Sequence, residues 1–357
     1  MLSALLGGMI FHILSLPIPW MLGPMFAVLI GSKLWPGRYM WPGTIRNAGM
    51  ITVGYTIGLA MTATALHEMS IHLPIMLLLT LLLLFFCAGI AFLVSLVSNY
   101  NYMTLLIGSI PGGLSQMVAL AEESDDIDMT VVTVIQVVRL MVIVVSIPFL
   151  IFNPYTGLSD PVVTEMAGAL GNAGAAAAAT WSNLLPDLPV YAVVCTLCAW
   201  LGQKLRIPTA YLLGPAIGAS VLQMLGVHGP ALPSTLVNAA QLAIGSYVGM
   251  LLKPEQLPHK MRTIGLAVGS AIILIAGAWG FSSLLTLIQP VSMTTALLAL
   301  APGGMDQMGI IAHEVGGDLS IVAGYQLFRL LFIFFAVPPV MKMLLRLRRS
   351  RRGKSVS

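Results

Sequence analysis

Two Pro-Gly-Gly triplets interrupt long apolar stretches of this sequence. They consist of Pro111, Gly112 and Gly113 in the first half and of Pro302, Gly303 and Gly304 in the second. Proline lacks a backbone donor and glycine permits unusual dihedral angles, so each triplet predicts a break in a helix. Such breaks are tolerated at membrane depth only where they are buried in protein or line a wet cavity. Two matching breaks are typical of a transporter's binding site, although a pair of structural kinks would leave the same pattern.

Polar residues that could bind a solute follow each break. Gln116 and Gln307 come three or four residues later, where each could bind a ligand or tie neighbouring helices together. Asp306 is the chemical difference between the two breaks, because its counterpart is Ser115. A carboxylate beside a broken helix is a candidate site for a proton or Na⁺.

A glutamine and an arginine, three residues apart, lie on the next apolar segment of each half. The pairs are Gln136 with Arg139 and Gln326 with Arg329. On a helix this spacing puts the amide and the guanidinium on one face. A lipid-facing arginine costs at least about 2.5 kcal/mol on insertion scales, so each must face protein or water. We expect its partner to be an anionic substrate or a carboxylate such as Glu123 or Glu314.

Composition indicates what kind of element holds these residues. The 357-residue chain is 58% hydrophobic and only 8% charged, whereas a soluble domain carries about 25% charged residues. Apolar stretches long enough to cross a bilayer recur along it, and they lack the alternation of barrel strands. The sequence therefore predicts an all-α polytopic membrane protein.

The two halves of the chain are copies of each other. Residues 17–24 align with 208–215, and this register continues without a gap to both triplets and, after a one-residue shift, to both Gln-x-x-Arg pairs. Such conservation of rare residue types in one register indicates a tandem duplication. We expect a first membrane repeat over 1–152, an Ala-rich linker over 153–187, a second repeat over 188–345 and a basic tail over 346–357.

Positive charge predicts that the copies are inverted in the membrane. If all six apolar segments of each copy crossed, Lys and Arg would fall on both sides, against the positive-inside rule. If the segment around each triplet is re-entrant, all Lys and Arg residues outside the membrane segments lie on the same side as the basic tail. The predicted fold is two inverted-topology repeats, each of about five spanning helices plus one broken re-entrant helix, with a cytoplasmic C-terminus.

Small residues predict where helices pack closely. Gly54 and Gly58 recur as Gly245 and Gly249, on the third apolar segment of each copy. Such Gly-x-x-x-Gly faces let helices approach, either within one chain or across a homodimer.

These motifs resemble those of a known family. A Leu-Gly-Pro motif, then Pro-Gly-Gly and Gln-x-x-Arg, each in two copies, resemble the AbrB-duplication membrane family over about 17–338. The resemblance implies a bacterial inner-membrane protein, and the family carries the labels of ammonia monooxygenase and of regulator of gene expression. A copper or iron oxygenase needs clustered ligands, and the histidines here are scattered.

The sequence thus predicts a secondary transporter of a small polar or anionic metabolite, with no enzymatic activity, catalytic residue, metal or cofactor. Its predicted partners are the lipid bilayer, the solute and a second copy in a homodimer, but no nucleic acid. The alternative function is a membrane-embedded sensor or regulator that acts through the basic tail.

Overall fold

The computed structural model of the chain describes residues 1–35, 39–98, 100–112, 117, 127–152, 187–205, 207, 209–227, 229–251 and 260–354. Of the predicted site residues, Gly113 and Gln116 lie outside this part of the chain. So does the predicted linker, apart from Asp187.

Every regular element of the described residues is an α-helix, as the composition predicts. The first half contains α1 (Leu2–Ile13), α2 (Pro19–Leu34), α3 (Gly43–Ala60), α4 (Ala63–Val97), α5 (Tyr102–Ser109) and α6 (Met129–Phe152). The second half contains α7 (Asp187–Lys204), α8 (Ala210–Met224), α9 (Ser234–Leu251), α10 (Lys260–Ile288), α11 (Met293–Leu300), α12 (Met305–Glu314) and α13 (Leu319–Lys354).

Four helices in the described part are long and apolar enough to cross a membrane. They are α4, α6, the segment Met261–Ile288 of α10 and the segment Leu319–Met341 of α13. The helices α1 and α8 are apolar but shorter. These lengths support a membrane protein, while five spans in each copy and their inverted orientation stay predictions.

The helices pack in two bundles that each draw on both halves of the chain. One, the short-helix bundle, contains α1–α3 and α7–α9, and the other, the long-helix bundle, contains α4–α6 and α10–α13. In the short-helix bundle α2 packs on α9 and α3 packs on α8, so the halves are interlocked. In the long-helix bundle α6 packs on α10, and α13 packs on α4 in the equivalent way.

Glycines allow the close approach of helices in the short-helix bundle. Gly54 and Gly58 lie against carbonyl oxygens of α8, and Gly245 and Gly249 lie against those of α2. A Cβ atom at any of the four would overlap backbone, for example 2.5 Å from the oxygen of Ala216 in the case of Gly58. The Gly-x-x-x-Gly motifs therefore join the two halves within one chain.

In each half, the residue that follows the interrupted apolar segment lies next to the first turn of the helix that begins it. The amide of Asp318, just before α13, donates a hydrogen bond to Oγ1 of Thr295 in the first turn of α11, at 3.2 Å. The amide of Asp128 bonds Oγ1 of Thr104 in α5 in the same way, also at 3.2 Å. In the second half the chain between this pair, which includes α11 and α12, consequently forms a hairpin. In the first half the two ends of the segment lie together in the same way, while the re-entrant course of both segments in a membrane stays a prediction.

Candidate functional site

In the second half, the Gln-x-x-Arg pair holds the end of α11. Gln326 donates to the carbonyl oxygens of Leu298 and Ala301, at 2.8 and 3.1 Å. Arg329 donates to Ala301 at 2.9 Å and to Gly303, within the break, at 3.3 Å. The last four carbonyls of a helix lack intrahelical partners and carry partial negative charge. A guanidinium with its five donors satisfies several of them at once.

The first half repeats this arrangement at the end of α5. Gln136 donates to the carbonyl oxygen of Ile107 at 3.0 Å. Arg139 donates to those of Ser109 and Ile110, at 2.9 and 3.1 Å. Both arginines are only 5% exposed, so they face protein rather than lipid.

The arginines thus have partners that the sequence analysis did not predict, while an anionic substrate as a further partner stays a prediction. Within the described residues these partners are backbone carbonyls, which have no signature in the sequence, and not a carboxylate. Glu314 instead accepts a hydrogen bond from Gln241 of α9, at 2.7 Å. Glu123 lies outside the described residues.

The two breaks lie against each other's halves. A Cβ atom on Gly112 would lie 3.3 Å from Cγ2 of Ile333 on α13. One on Gly303 would lie 3.3 Å from Cγ2 of Ile143 on α6. Each isoleucine follows its own half's arginine by one helical turn. Each break therefore packs against the arginine-bearing helix of the other half, and Pro111 and Pro302 are buried.

The second break combines accessible backbone with a carboxylate. Gly303, Gly304 and Asp306 are partly exposed, although most of α12 is buried. The side chain of Gln307 donates from Nε2 to the Asp306 carboxylate at 2.9 Å and is 3% exposed. Its Oε1 has no hydrogen-bond partner and lies against Gly304. An acidic residue is favourable in the first turn of a helix, where the amides point outward.

Two residues outside the predicted set contact each other between α3 and α9. Arg46, half-buried near the start of α3, holds its guanidinium carbon 4.5 Å from the ring centre of Tyr247 on α9. Arg46 entered the sequence analysis only as one of the positive charges that predict the orientation of the chain in the membrane. Arg46 lies inside a helix rather than in a loop, and this position could have indicated that its side chain contacts a neighbouring helix.

Two cavities lie where the bundles meet. One of about 260 Å³ lies between α3, the start of α9 and the end of α12, where Thr56 and His313 contribute to its wall. The other, of about 200 Å³, is lined mostly by apolar residues of α3 and α8 together with Met305 and Leu327. Neither is lined by a predicted site residue of the described part of the chain. Within that part, no group of three or more His, Cys, Asp or Glu side chains could hold a metal ion.

Comparison with known proteins gives one family. The family model described as "Transition state regulatory protein AbrB" matches residues 20–345. The chain is 25% identical to "Uncharacterized protein YhjN" of Bacillus subtilis, over 98% of this chain and 94% of the relative. It is 26% identical to "Putative regulator AbrB" of Escherichia coli, over 92% and 91% of the two chains. No solved structure matches it.

Proposed function

The chain belongs to the AbrB family, and from this premise and its paired hairpins we propose that it is a secondary transporter of a small polar or anionic metabolite. The observation that carries the proposal is the meeting of Gly112 with Ile333 and of Gly303 with Ile143. Two broken helices that reach one centre from the two halves of a chain form the arrangement in which transporters bind solutes.

The charges of the centre favour a polar or anionic solute. Each arginine brings a full positive charge to a helix end that carries only about half a negative charge. The surplus positive charge of Arg139 and Arg329 is held under little exposure to water, where electrostatic interactions are strong. The Asp306 carboxylate is available to a cation, which is either a coupling ion such as H⁺ or Na⁺ or a cationic group of the solute.

The proposal includes the orientation predicted from charge. The two ends of each broken segment lie together, which leaves each copy an odd number of crossings if its other long segments span. The copies are then inverted, the membrane is the bacterial inner membrane and the basic tail is cytoplasmic.

Transport is tested with the purified full chain reconstituted in lipid vesicles. Uptake of labelled metabolites is measured with and without a proton or sodium gradient, and vesicles without protein are the control. The proposal expects saturable uptake of at least one small polar solute. Absence of uptake across a broad metabolite panel under every gradient would overturn it.

A second candidate function is a membrane-embedded regulator. The name of the E. coli relative favours it, as does the continuation of α13 beyond its apolar part to Lys354, through a basic stretch. Deletion of residues 346–357 distinguishes the two functions. A regulator that acts through the tail loses its effect on gene expression, whereas a transporter keeps its uptake.

A further inference from the structure

The helices α3 and α9 occupy equivalent positions in the duplicated sequence and pack against each other. They touch at counterpart residues. A Cβ atom on Gly49 would lie 3.0 Å from the carbonyl oxygen of Ala240, which takes the place of Gly49 in the second half. The start of α3 lies beside the end of α9, where Arg46 contacts Tyr247. The helix pair therefore has two ends that are built from equivalent residues.

One end of this helix pair contains a cavity. The cavity of about 260 Å³ is lined by Thr56, near the end of α3, and by Val237, near the start of α9. His313, in the last turn of α12, also lines it. The volume has room for about eight water molecules of about 30 Å³ each, or for a small solute. Because α12 begins at the second break, the cavity and the break lie at opposite ends of one short helix.

Larger side chains occupy the equivalent end of the helix pair. The counterparts of Thr56 and Val237 are Tyr247 and Arg46. The guanidinium carbon of Arg46 lies 4.5 Å from the ring centre of Tyr247. A stacked guanidinium and phenol thus stand where the cavity has a hydroxyl and an isopropyl group.

A second pair of positions differs in the same direction. Leu232 and Leu59 line the cavity, and their counterparts are Trp41 and Met250. Trp41 and Met250 both pack against one small cluster of buried apolar residues. The two ends of the helix pair therefore differ in the size of the side chains that they hold.

The cavity lies at the end of α13 that is remote from the basic tail. Ala60, which lines the cavity, accepts a hydrogen bond from Oγ of Ser320 in the first turn of α13, at 2.6 Å. The apolar segment Leu319–Met341 separates this turn from the tail. Arg46 precedes the cavity residue Thr56 on α3 by a rise of about 15 Å. In the orientation proposed above, the cavity is on the outer side of the membrane and Arg46 is on the cytoplasmic side.

We propose that the cavity is the outer opening of the solute pathway and that Arg46, stacked on Tyr247, closes the equivalent cytoplasmic opening. Transporters built from inverted repeats expose their binding site to one side at a time, as one bundle moves against the other. The cavity lies between α3 and α9 of the short-helix bundle and α12 of the long-helix bundle, where such a movement would open and close it. The inference rests on the proposed transport function and orientation, and it identifies residues that control access.

The accessibility of two equivalent cysteines tests this inference. Leu59→Cys and Met250→Cys are made separately in a full chain whose Cys87, Cys195 and Cys198 are replaced by Ala. A membrane-impermeant thiol reagent is added to intact and to permeabilised cells. We expect Leu59→Cys to react in intact cells and Met250→Cys to react much more slowly, even after permeabilisation.

The double variant Arg46→Val with Tyr247→Thr transfers the residues of the open end to the closed end. We expect the reaction of Met250→Cys after permeabilisation to accelerate roughly tenfold, which is the effect of losing one desolvated cation–π contact. The reaction of Leu59→Cys should slow down, because a pathway that opens on one side closes on the other. A folding defect would instead accelerate the reaction of both cysteines.

Two further variants serve as controls. The reverse exchange, Val237→Arg with Thr56→Tyr, should fill the cavity and slow the reaction of Leu59→Cys. Lys204→Gln removes a cation that lies 5.4 Å from the ring centre of Trp200, away from both ends of the helix pair. It should leave the reaction rates of both cysteines unchanged.

The possible outcomes separate this inference from the transport proposal. Reaction of Leu59→Cys only after permeabilisation overturns the outer opening. The closed cytoplasmic opening is overturned if the exchange at Arg46 and Tyr247 accelerates Met250→Cys no more than Lys204→Gln does, or if it accelerates both cysteines. Labelling requires no solute, so absence of uptake across the metabolite panel overturns transport and leaves the two openings to be judged by their own rates. Uptake without the expected labelling overturns this inference alone.

Discussion

Arg329 donates a hydrogen bond to the carbonyl oxygen of Ala301 at 2.9 Å, beyond the end of a helix that stops inside the protein. Arg139 makes the equivalent bond to Ile110, just after the end of α5, at 3.1 Å. A buried helix end without partners is costly, and no water is at hand in a membrane to supply them. The arginines therefore stabilise the breaks themselves, and their effect on a solute acts through the surplus charge.

Replacement of Arg329 by Met should strongly destabilise the protein. Several buried carbonyl oxygens would lose their donor, at about 1–3 kcal/mol for each unsatisfied group. We expect a large fall in the unfolding temperature of the full chain in detergent, and an intermediate fall for Arg329→Lys. The control is Arg262→Met, which removes an exposed arginine-to-carbonyl bond to Val97 that water can replace. Equal effects of Arg329→Met and the control would contradict the role of Arg329 as a helix-end partner.

The sequence predicted the hairpins better than the surroundings of their side chains. Proline and glycine act on their own backbone, so the breaks followed from local rules. The partner of Gln136 and Arg139 could not be predicted in this way, since it is a run of carbonyls about thirty residues away. The stacking of Arg46 on Tyr247 depends on the packing of α3 against α9, helices far apart in sequence, and no spacing rule predicts it.

Replacement of Gly54 by Ala should loosen the contact between the two halves. Its Cβ would overlap the carbonyl oxygen of Leu212 on α8, and overpacking of this kind costs typically about 1–3 kcal/mol. The control is Gly269→Ala on α10, where a Cβ atom meets nothing within 4 Å and Ala favours the helix by up to about 1 kcal/mol. Thermal unfolding in detergent should therefore shift down for the first variant only.

Replacement of Thr295 by Val should weaken the closure of the second hairpin. The hydroxyl that accepts from the Asp318 amide is lost while the side-chain shape is nearly kept. The expected cost is about 1 kcal/mol, the net value of one hydrogen bond, and Thr295→Ser should restore most of it. Hydrogen exchange of the amide at 318 should accelerate in Thr295→Val. Unchanged exchange would show that other contacts close the hairpin.

Inverted copies require that the linker and the tail lie on opposite sides of the membrane. The test is the variants Leu170→Cys and Ser350→Cys, made separately in a chain whose Cys87, Cys195 and Cys198 are replaced by Ala. A membrane-impermeant thiol reagent should label the first variant in intact cells and the second only after permeabilisation. Labelling of both from the same side would mean that the copies are parallel.

The convergence of the two breaks predicts disulfides between the halves. Cγ2 of Ile333, one bond from Cβ, lies 3.3 Å from a Cβ built on Gly112, and disulfides join Cβ atoms about 3.5–4.5 Å apart. In a chain without its native cysteines, Gly112→Cys with Ile333→Cys should therefore cross-link on mild oxidation. The equivalent pair, Gly303→Cys with Ile143→Cys, should do the same.

The matched control for cross-linking pairs Gly112→Cys with Gly269→Cys, because a Cβ on Gly269 has no neighbour within 4 Å. Peptide mass spectrometry identifies the bond in each variant. Cross-linking of the first two pairs but not of the control would place both breaks against the opposite arginine helices in the membrane. If neither pair formed a bond while its single variants still reacted with a small thiol reagent, the shared centre from which we argue transport would not exist.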